Sequence, residues 1–193
     1  MRRITMLVVC TLALTLCAGY AAAVTTTYPD TLKVDYFINA NTAGAPVAVV
    51  QLTDTDLVGG NLCADIFVYD ADQEISECGA CMLTPNDLRT LSVNVDLTKN
   101  PLTGVTLTTG SIRIVSTATK SNTCPLPTLG TGIVPTAGLR AWATHIQTGN
   151  QITETASQDE TLSSTELERL EADCLAISIA GSGSGQLTCG TGD

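Results

Sequence analysis

Several short segments of the chain alternate apolar with polar residues, which is typical of β-strands that bury one face. The clearest alternation runs through Arg89–Thr98. Its expected inward-facing side chains are Leu91, Val93, Val95 and Leu97. The abundant threonines add β-branched side chains, which favour strands. The pattern predicts strands over Leu32–Ile38, Pro46–Leu52, Asn61–Tyr69, Arg89–Thr98, Ser111–Ser116 and Leu139–Gln147, with a further candidate at Ile152–Ala156.

Glycine, asparagine, proline and aspartate separate these segments at short intervals, so consecutive strands are expected to turn back on each other. About seven short strands of this kind predict a mainly β fold, an antiparallel β-sandwich held by disulfides. The same pattern also permits an open barrel. Thr117–Pro135 is rich in threonine, proline and glycine and predicts a long loop fastened through Cys124.

One segment near the end of the chain departs from this pattern and predicts a C-terminal α-helix. Its apolar side chains recur at helical spacing; they are Leu167, Leu170, Cys174 and Ile177. Ser163 and Glu166 fit a capping box at the start of the helix, and Gly181 suits its end. Gly181–Asp193 then predicts a glycine-rich tail.

Residues 1–23 carry the features of a secretory signal peptide. Arg2 and Arg3 precede an apolar stretch, Ile4–Cys17, that is shorter than the roughly 20 residues needed to span a bilayer. Ala21–Ala23 offers a small-residue cleavage site, whereas Leu16 before the cysteine does not suit a lipoprotein signal. We therefore expect export to the periplasm, the cell surface or the medium. Residues 24–193 should then form one domain with no membrane span.

The charge of the chain limits its partners. The net charge is −10, and loss of Arg2 and Arg3 with the leader leaves seven basic against nineteen acidic residues, or −12. Binding of nucleic acid needs clustered lysine and arginine, so a nucleic-acid partner is not expected. The expected partner is a second copy of the chain or another surface protein. The sequence points to no cofactor.

Six cysteines remain after removal of the leader: Cys63, Cys78, Cys81, Cys124, Cys174 and Cys189. An even number in an exported protein predicts disulfides, although six cysteines allow fifteen pairings. Cys174–Cys189 is the favoured pair because it would join the helix to the tail through a short loop, contributing about 3 kcal/mol. The other four cysteines would then form two further bridges.

Cys78–Cys81 forms a C-x-x-C motif that allows three interpretations. A redox site would place the motif at a helix N-terminus inside a βαβ unit, which the surrounding sequence does not predict. A zinc site needs four ligands, and the chain has a single histidine, His145, and no second C-x-x-C. The favoured interpretation is two structural half-cystines.

Asp70, Asp72 and Glu74 have the alternate spacing that begins a calcium-binding loop. An EF-hand is excluded because Ile75 occupies the position of the required glycine and Cys81 that of the bidentate glutamate. A looser calcium site remains an alternative to a solvated turn. Its candidate ligands are Asp54, Asp56, Asp70 and Asp72.

No familiar catalytic site can be assembled from the sequence, so no catalytic residue is assigned. No G-x-S-x-G elbow accompanies His145, which the alternation places at the surface or boundary of a strand. The serines of Gly181–Gly185 lack the lysine of a phosphate-binding loop. A small sandwich needs most of its aromatic residues for the core, which leaves few for sugar binding. The six outside the leader are Tyr28, Tyr36, Phe37, Phe67, Tyr69 and Trp142.

Three segments of the chain resemble a family of uncharacterised exported bacterial proteins that carry a C-x-x-C after a strand. They are Asn61–Asp70, Gln73–Cys81 and Leu88–Asn94, and the likeness continues through Asn100–Gly104 and Leu167–Gly190. The resemblance covers most of the mature chain. It implies export and paired cysteines, and it implies no particular activity.

These observations favour a non-catalytic extracellular or cell-surface sandwich with a role in structure, adhesion or assembly. In one form of this hypothesis, Val24–Ile38 pairs with the sheet edge of a neighbouring subunit and builds a filament; the alternative is pairing within its own sheet. The assembly residues would be Val24, Tyr28, Val34, Tyr36 and Ile38. Two other hypotheses are a binding module for a glycan, a peptide or calcium, and an enzyme. The enzyme would be a thiol oxidoreductase using Cys78 and Cys81 or a hydrolase.

Overall fold

The computed structural model describes residues 25–100, 103–146, 152–179, 186–187 and 189. The predicted leader and most of the predicted tail lie outside the described residues. The described chain forms two antiparallel β-sheets, with one C-terminal helix packed on the outer face of the larger sheet. The predicted mainly β sandwich is confirmed, and the two sheets remain separate rather than closing into a barrel.

Nine strands, one α-helix and one π-helical turn make up the described chain. The strands are β1 (Thr27–Ile38), β2 (Val47–Asp54), β3 (Leu62–Asp70), β4 (Ile75–Leu83), β5 (Leu88–Ser92), β6 (Thr109–Ala118), β7 (Leu139–Ile146), β8 (Ile152–Ala156) and β9 (Gln158–Ser163). The helix α1 comprises Ser164–Ile179, and the π-helical turn comprises Val93–Leu97. The larger sheet has the order β4-β3-β6-β1-β9, and the smaller sheet has the order β5-β2-β7-β8.

Strand β3 of the larger sheet is buried on both faces, to which its successive side chains point in turn. Ile66 and Phe67 of β3 illustrate this division, and both are completely buried. Ile66 belongs to the main core between the two sheets. Phe67 belongs to a second core on the outer face, where it packs with Leu170 of α1.

The start of α1 agrees with the sequence prediction. Ser163 Oγ accepts a hydrogen bond of 3.1 Å from the backbone N–H of Glu166, which is half of the predicted capping box. Ile177 is partly buried against the second core, and the other three residues at helical spacing are buried: Leu167, Leu170 and Cys174. Gly181, which was predicted to end the helix, lies outside the described residues.

The predicted strand Arg89–Thr98 is wrong beyond Ser92, where β5 ends and the π-helical turn begins. The side chain of Ser92 accepts a hydrogen bond from the N–H of Val95, and the Ser92 N–H donates to the Asp96 carboxylate at 2.7 Å. These bonds fold the backbone into a turn. Val95, predicted to face inward, is therefore 63% exposed. Val93 and Leu97, which were also predicted to face inward, are buried.

Two strands are absent from the sequence prediction. β4 contains polar residues and Gly79, and β9 has the sequence QDETLS with a single buried apolar residue, Leu162. The loop predicted at Thr117–Pro135 begins later, because β6 extends to Ala118.

Candidate functional site

The six cysteines outside the predicted leader form three disulfides: Cys63–Cys124, Cys78–Cys174 and Cys81–Cys189. The first fastens the loop after β6 to β3, as predicted for Cys124. The predicted pair Cys174–Cys189 is wrong. Cys174 lies in the second core beneath α1, whereas Cys189 packs against the main core, so the larger sheet separates them.

The C-x-x-C motif lies inside β4 rather than after a strand. Residues three apart on a strand point to opposite faces, so Cys78 and Cys81 leave β4 in opposite directions. Cys78 joins the strand to α1, and Cys81 joins it to the tail. Both residues are completely buried, and each is bonded to a distant cysteine. This is the arrangement of two structural half-cystines.

The tail residues Gln186, Leu187 and Cys189 lie beside β4, at the edge of the larger sheet. Gln186 forms a parallel bridge with Cys78, whose carbonyl accepts a 2.9 Å hydrogen bond from the N–H of Leu187. The Leu187 side chain is buried in the main core against Gly79. Because β4 is the last strand of its sheet, these residues cover an edge that would otherwise be open.

A polar recess of about 290 Å³ opens on the outer face of the larger sheet, beside the first turn of α1. Its lining residues are Tyr69, Gln73, Ser111, Arg113, Glu166 and Arg169. The guanidinium groups of Arg113 and Arg169 lie 5.3 and 5.4 Å from the centre of the Tyr69 ring, within range of cation–π attraction. The Tyr69 hydroxyl donates a 2.8 Å hydrogen bond to Asp173.

The charged side chains of the recess are paired with one another. Arg113 binds Glu166, and Arg169 binds both Glu166 and Asp173. Burial opposes ionisation of Glu166, but the hydrogen bonds and charges of Arg169 and Arg113 outweigh it and hold its pKa below the ordinary value. Burial and the hydrogen bond to Asp173 raise the pKa of the Tyr69 hydroxyl, which therefore stays a donor. The side chains that line the recess therefore hold α1 on the larger sheet.

Asp65 and Glu171 are buried carboxyl groups between β3 and α1. Asp65 Oδ2 accepts a 2.9 Å hydrogen bond from Thr117 Oγ1, whereas its buried Oδ1 has no partner among the described residues. Burial raises the pKa of Asp65 to about 7; the Thr117 bond opposes this shift and the charge of Glu171 adds to it. Burial also raises the pKa of Glu171, with a further contribution from Glu168.

Glu77 is another buried carboxyl group, on the inner face of β4 opposite Val68 of the main core. It is 1% exposed, and its Oε1 has no hydrogen-bond partner in the described part of the chain. Burial, reinforced by the negative charge of Asp96, raises its pKa to about 8. A carboxyl group in a strand normally indicates a solvent-facing position, so sequence reasoning missed both Glu77 and Asp65.

Lys33 is 1% exposed although it carries a charge. It lies on the inner face of β1, and its Nζ is 2.6 Å from Oδ1 of both Asp30 and Asp159. Asp30 also binds Arg140 at 3.1 Å. The hydrogen bond from Lys33 lowers the pKa of Asp30 against the effect of burial, and Arg140 adds to the lowering. These ion pairs connect β1, β7 and β9.

The four aspartates considered as calcium ligands lie in two separate turns. Asp54 ends β2, and its Oδ1 accepts a 2.8 Å hydrogen bond from the N–H of Asp56. Asp70 ends β3, and its Oδ1 accepts hydrogen bonds of 2.9 Å from the N–H groups of Asp72 and Glu74. Each carboxylate thus closes its own turn. Across the described ranges, no three side chains of the metal-binding types come together.

The N-terminal strand considered for assembly pairs within its own sheet. β1 lies between β6 and β9, and its pairing with β9 covers Thr27–Val34. This is the intramolecular alternative. Two of the considered assembly residues, Tyr28 and Val34, accordingly pack against the second core. Val24 lies outside the described residues.

From Tyr36 to Ile38, one edge of β1 pairs with no strand in the described part of the chain. The pairing of β1 with β9 ends at Val34, and the next residue, Asp35, accepts a 2.6 Å hydrogen bond from Ser157 Oγ. The pairing of β1 with β6 continues to Ile38. Tyr36 and Ile38 lie on one face of this segment and are 71% and 74% exposed. An open edge with large apolar side chains is a site at which another chain can pair.

The remaining residues singled out in the sequence have varied positions. His145 lies in β7, but its side chain is outside the description, as are the serines of Gly181–Gly185. The aromatic residues serve the core only in part. Phe37, Phe67 and Tyr69 are buried, Tyr28 and Trp142 are half-buried, and Tyr36 is exposed.

No family model, curated protein or solved structure matches the chain. Within the described residues, no helix is long and apolar enough to cross a membrane. Three disulfides in a chain of this size are typical of an oxidising compartment outside the cytoplasm. The resemblance to exported bacterial proteins stays a prediction.

Proposed function

We propose that the protein is an exported, non-catalytic structural or adhesion module that acts through the contacts of a covalently braced surface. The observation that carries this proposal is the use of the six cysteines. Each disulfide begins at Cys63, Cys78 or Cys81 of the larger sheet and ends in a different element: a loop, the helix or the tail. Such braces suit a rigid module that works outside the cell.

The ionisable groups give further support to the proposal. The arginines of the recess are paired with carboxylates, and Asp65 and Glu77 are sealed inside the protein. Lys33 is likewise buried in ion pairs. These ion pairs connect elements of the fold: Arg113 joins β6 to α1, and Lys33 joins β1 to β9.

The open end of β1 is the contact surface that we assign to self-association. No described strand pairs with Tyr36–Ile38 on the side away from β6, and the exposed side chains of Tyr36 and Ile38 supply apolar area. A second copy can satisfy both features, because two copies of the same edge pair antiparallel about a twofold axis.

Light scattering during size exclusion, together with electron microscopy of the mature protein, tests this proposal. We expect dimers whose population grows with concentration. Replacement of Tyr36 and Ile38 by serine should shift them to monomers. Val95→Ser is the matched control, because Val95 is 63% exposed and lies in the π-helical turn away from β1. A strict monomer at high concentration contradicts self-association.

The thiol oxidoreductase alternative has its own test. Such an enzyme cycles its C-x-x-C between a dithiol and an internal disulfide, whereas Cys78 and Cys81 are bonded to Cys174 and Cys189. We expect no turnover in an insulin-reduction assay. Sustained turnover that is lost in Cys78→Ser would overturn the non-catalytic proposal.

A further inference from the structure

We propose that the outer edge of β4 is a peptide-binding groove that also accepts the tail of a second copy of this chain. The groove holds Gln186, Leu187 and Cys189 of its own chain. The same residues of a second copy would fill it equally and would join two chains through Cys81 and Cys189. This linkage is covalent, goes beyond the proposed function, and does not depend on the open edge of β1.

The tail fits the groove as an added parallel strand. The Cys78–Gln186 bridge and the Cys81–Cys189 disulfide have the same offset of 108 residues, so the two segments run side by side in register. The N–H of Leu187 donates to the Cys78 carbonyl at 2.9 Å. Strand addition of this kind obtains affinity from the backbone and specificity from side-chain pockets.

The groove selects an apolar side chain at one position. A Cβ atom on Gly79 would lie 2.7 Å from Leu187 Cγ, so the leucine occupies space that only glycine leaves free. Leu187 is 8% exposed and belongs to the main core. A tail without this leucine would leave part of the core unfilled.

Exchange requires the tail to leave its own groove while the sandwich stays folded. Between the end of α1 at Ile179 and Gln186, the sequence is AGSGSG. Six residues span at most roughly 20 Å. Cys189 and Cys124 are half-buried, so a thiol reaches them more readily than the completely buried Cys78 and Cys174. Of these two, only Cys189 lies beyond α1, outside the strands and loops of the sandwich.

The exchange is a sequence of thiol–disulfide reactions. A small-molecule thiolate attacks Cys189 Sγ, forms a mixed disulfide and displaces the Cys81 thiolate. The Cys81 thiolate of a second, similarly opened chain then attacks Cys189 Sγ of the first. The small thiolate leaves with its electron pair and recovers a proton. One disulfide is broken for each one formed, so no net oxidant is required.

Isotope mixing tests the proposal. Unlabelled and uniformly ¹⁵N-labelled full-length mature protein are mixed equally in a buffer of reduced and oxidised glutathione, then digested without reduction. Mass spectrometry should find mixed-label peptides joined through Cys81–Cys189, and non-reducing gels should show linked chains. The peptides of Cys78–Cys174 and Cys63–Cys124 should stay single-label. Absence of mixed-label tail peptides, or equal mixing at all three bridges, overturns the proposal.

A pair of variants tests recognition by the groove. Leu187→Asp should lose the mixed-label tail peptide and accumulate glutathione on Cys189, whereas Gln186→Asp should keep it, because the Gln186 side chain is only half-buried. Circular dichroism and the other two disulfides show whether each variant is folded. An undiminished yield from folded Leu187→Asp overturns the proposal. Each of these results leaves the test at Tyr36 and Ile38 unaffected.

Discussion

Cys78 and Cys81 share one strand but are bonded on opposite faces of it. Cys78 closes a loop of 96 residues with the helix, and Cys81 closes a loop of 108 residues with the tail. In the chain-entropy model a loop of roughly 100 residues contributes about 4.7 kcal/mol. The two bridges therefore hold β4, a strand at the edge of its sheet, from both sides.

The buried Asp65 predicts that stability falls as the pH rises. Its pKa of about 7 means that the folded protein keeps a proton that the unfolded chain loses near pH 4. The stabilisation is therefore complete below about pH 4 and is lost as the pH passes through about 7. Glu77, with a pKa of about 8, acts in the same direction. Urea unfolding from pH 4 to pH 9 should show this decrease.

Asp65→Asn isolates the contribution of this one group. The variant should flatten the pH dependence, and the change can reach about 4 kcal/mol between the two ends of the range. Asp56→Asn, in an exposed turn, should keep the wild-type slope. Asp30 and Glu166, whose pKa values are lowered, act in the opposite direction, at the acidic end of this range and below it. Equal slopes for wild type and Asp65→Asn would show that Asp65 is ionised when folded.

We expect the packing of the Lys33 side chain on the inner face of β1 to contribute more to the free energy of unfolding than its charge does. Lys33→Met should keep the free energy of unfolding within about 1 kcal/mol, because methionine fills a similar volume and Asp159 remains 57% exposed to water. Lys33→Ala should lose about 2–4 kcal/mol through the cavity that it leaves. Urea unfolding at one pH compares them. Equal losses would instead assign the stabilisation to the ion pairs.

The position of Gly110, near the start of the central strand β6, leaves no room for a side chain. A Cβ atom there would overlap the carbonyl oxygen of Tyr69 and lie 2.7 Å from the Phe37 ring. Gly110→Ala should therefore lose roughly 2 kcal/mol or more. Gly60→Ala is the control, since its Cβ meets no atom within 4 Å. The melting temperatures of both variants test this expectation. A Gly110→Ala variant that melts at the wild-type temperature would contradict the packing around Gly110.

Local alternation explains why most of the strands were predictable. Ile152–Ala156 has the predicted bounds, and β3 differs from its prediction by one residue at each end. The alternation fails where a side chain acts on the backbone, as at Ser92, whose two hydrogen bonds end β5. It also fails in β4, where Glu77 is buried and Gly79 makes room for the tail.

The candidate site was less predictable, because its partners are distant in sequence. A short loop favoured Cys174–Cys189, but the tail passes the edge of β4 and approaches Cys81 from the opposite side. Alternation places Asp65 on the outer face of β3, yet only the packed structure shows that α1 covers that part of the face. Neither the disulfide partner of Cys189 nor the burial of Asp65 can be deduced from the order of residues along the chain.

Disulfide mapping of the native mature protein, without reduction, tests the structural role of the cysteines most directly. The expected result is no alkylatable thiol and three linked peptide pairs: Cys63–Cys124, Cys78–Cys174 and Cys81–Cys189. Free thiols at Cys78 and Cys81, or a disulfide between these two residues, would contradict that role and favour a reactive dithiol.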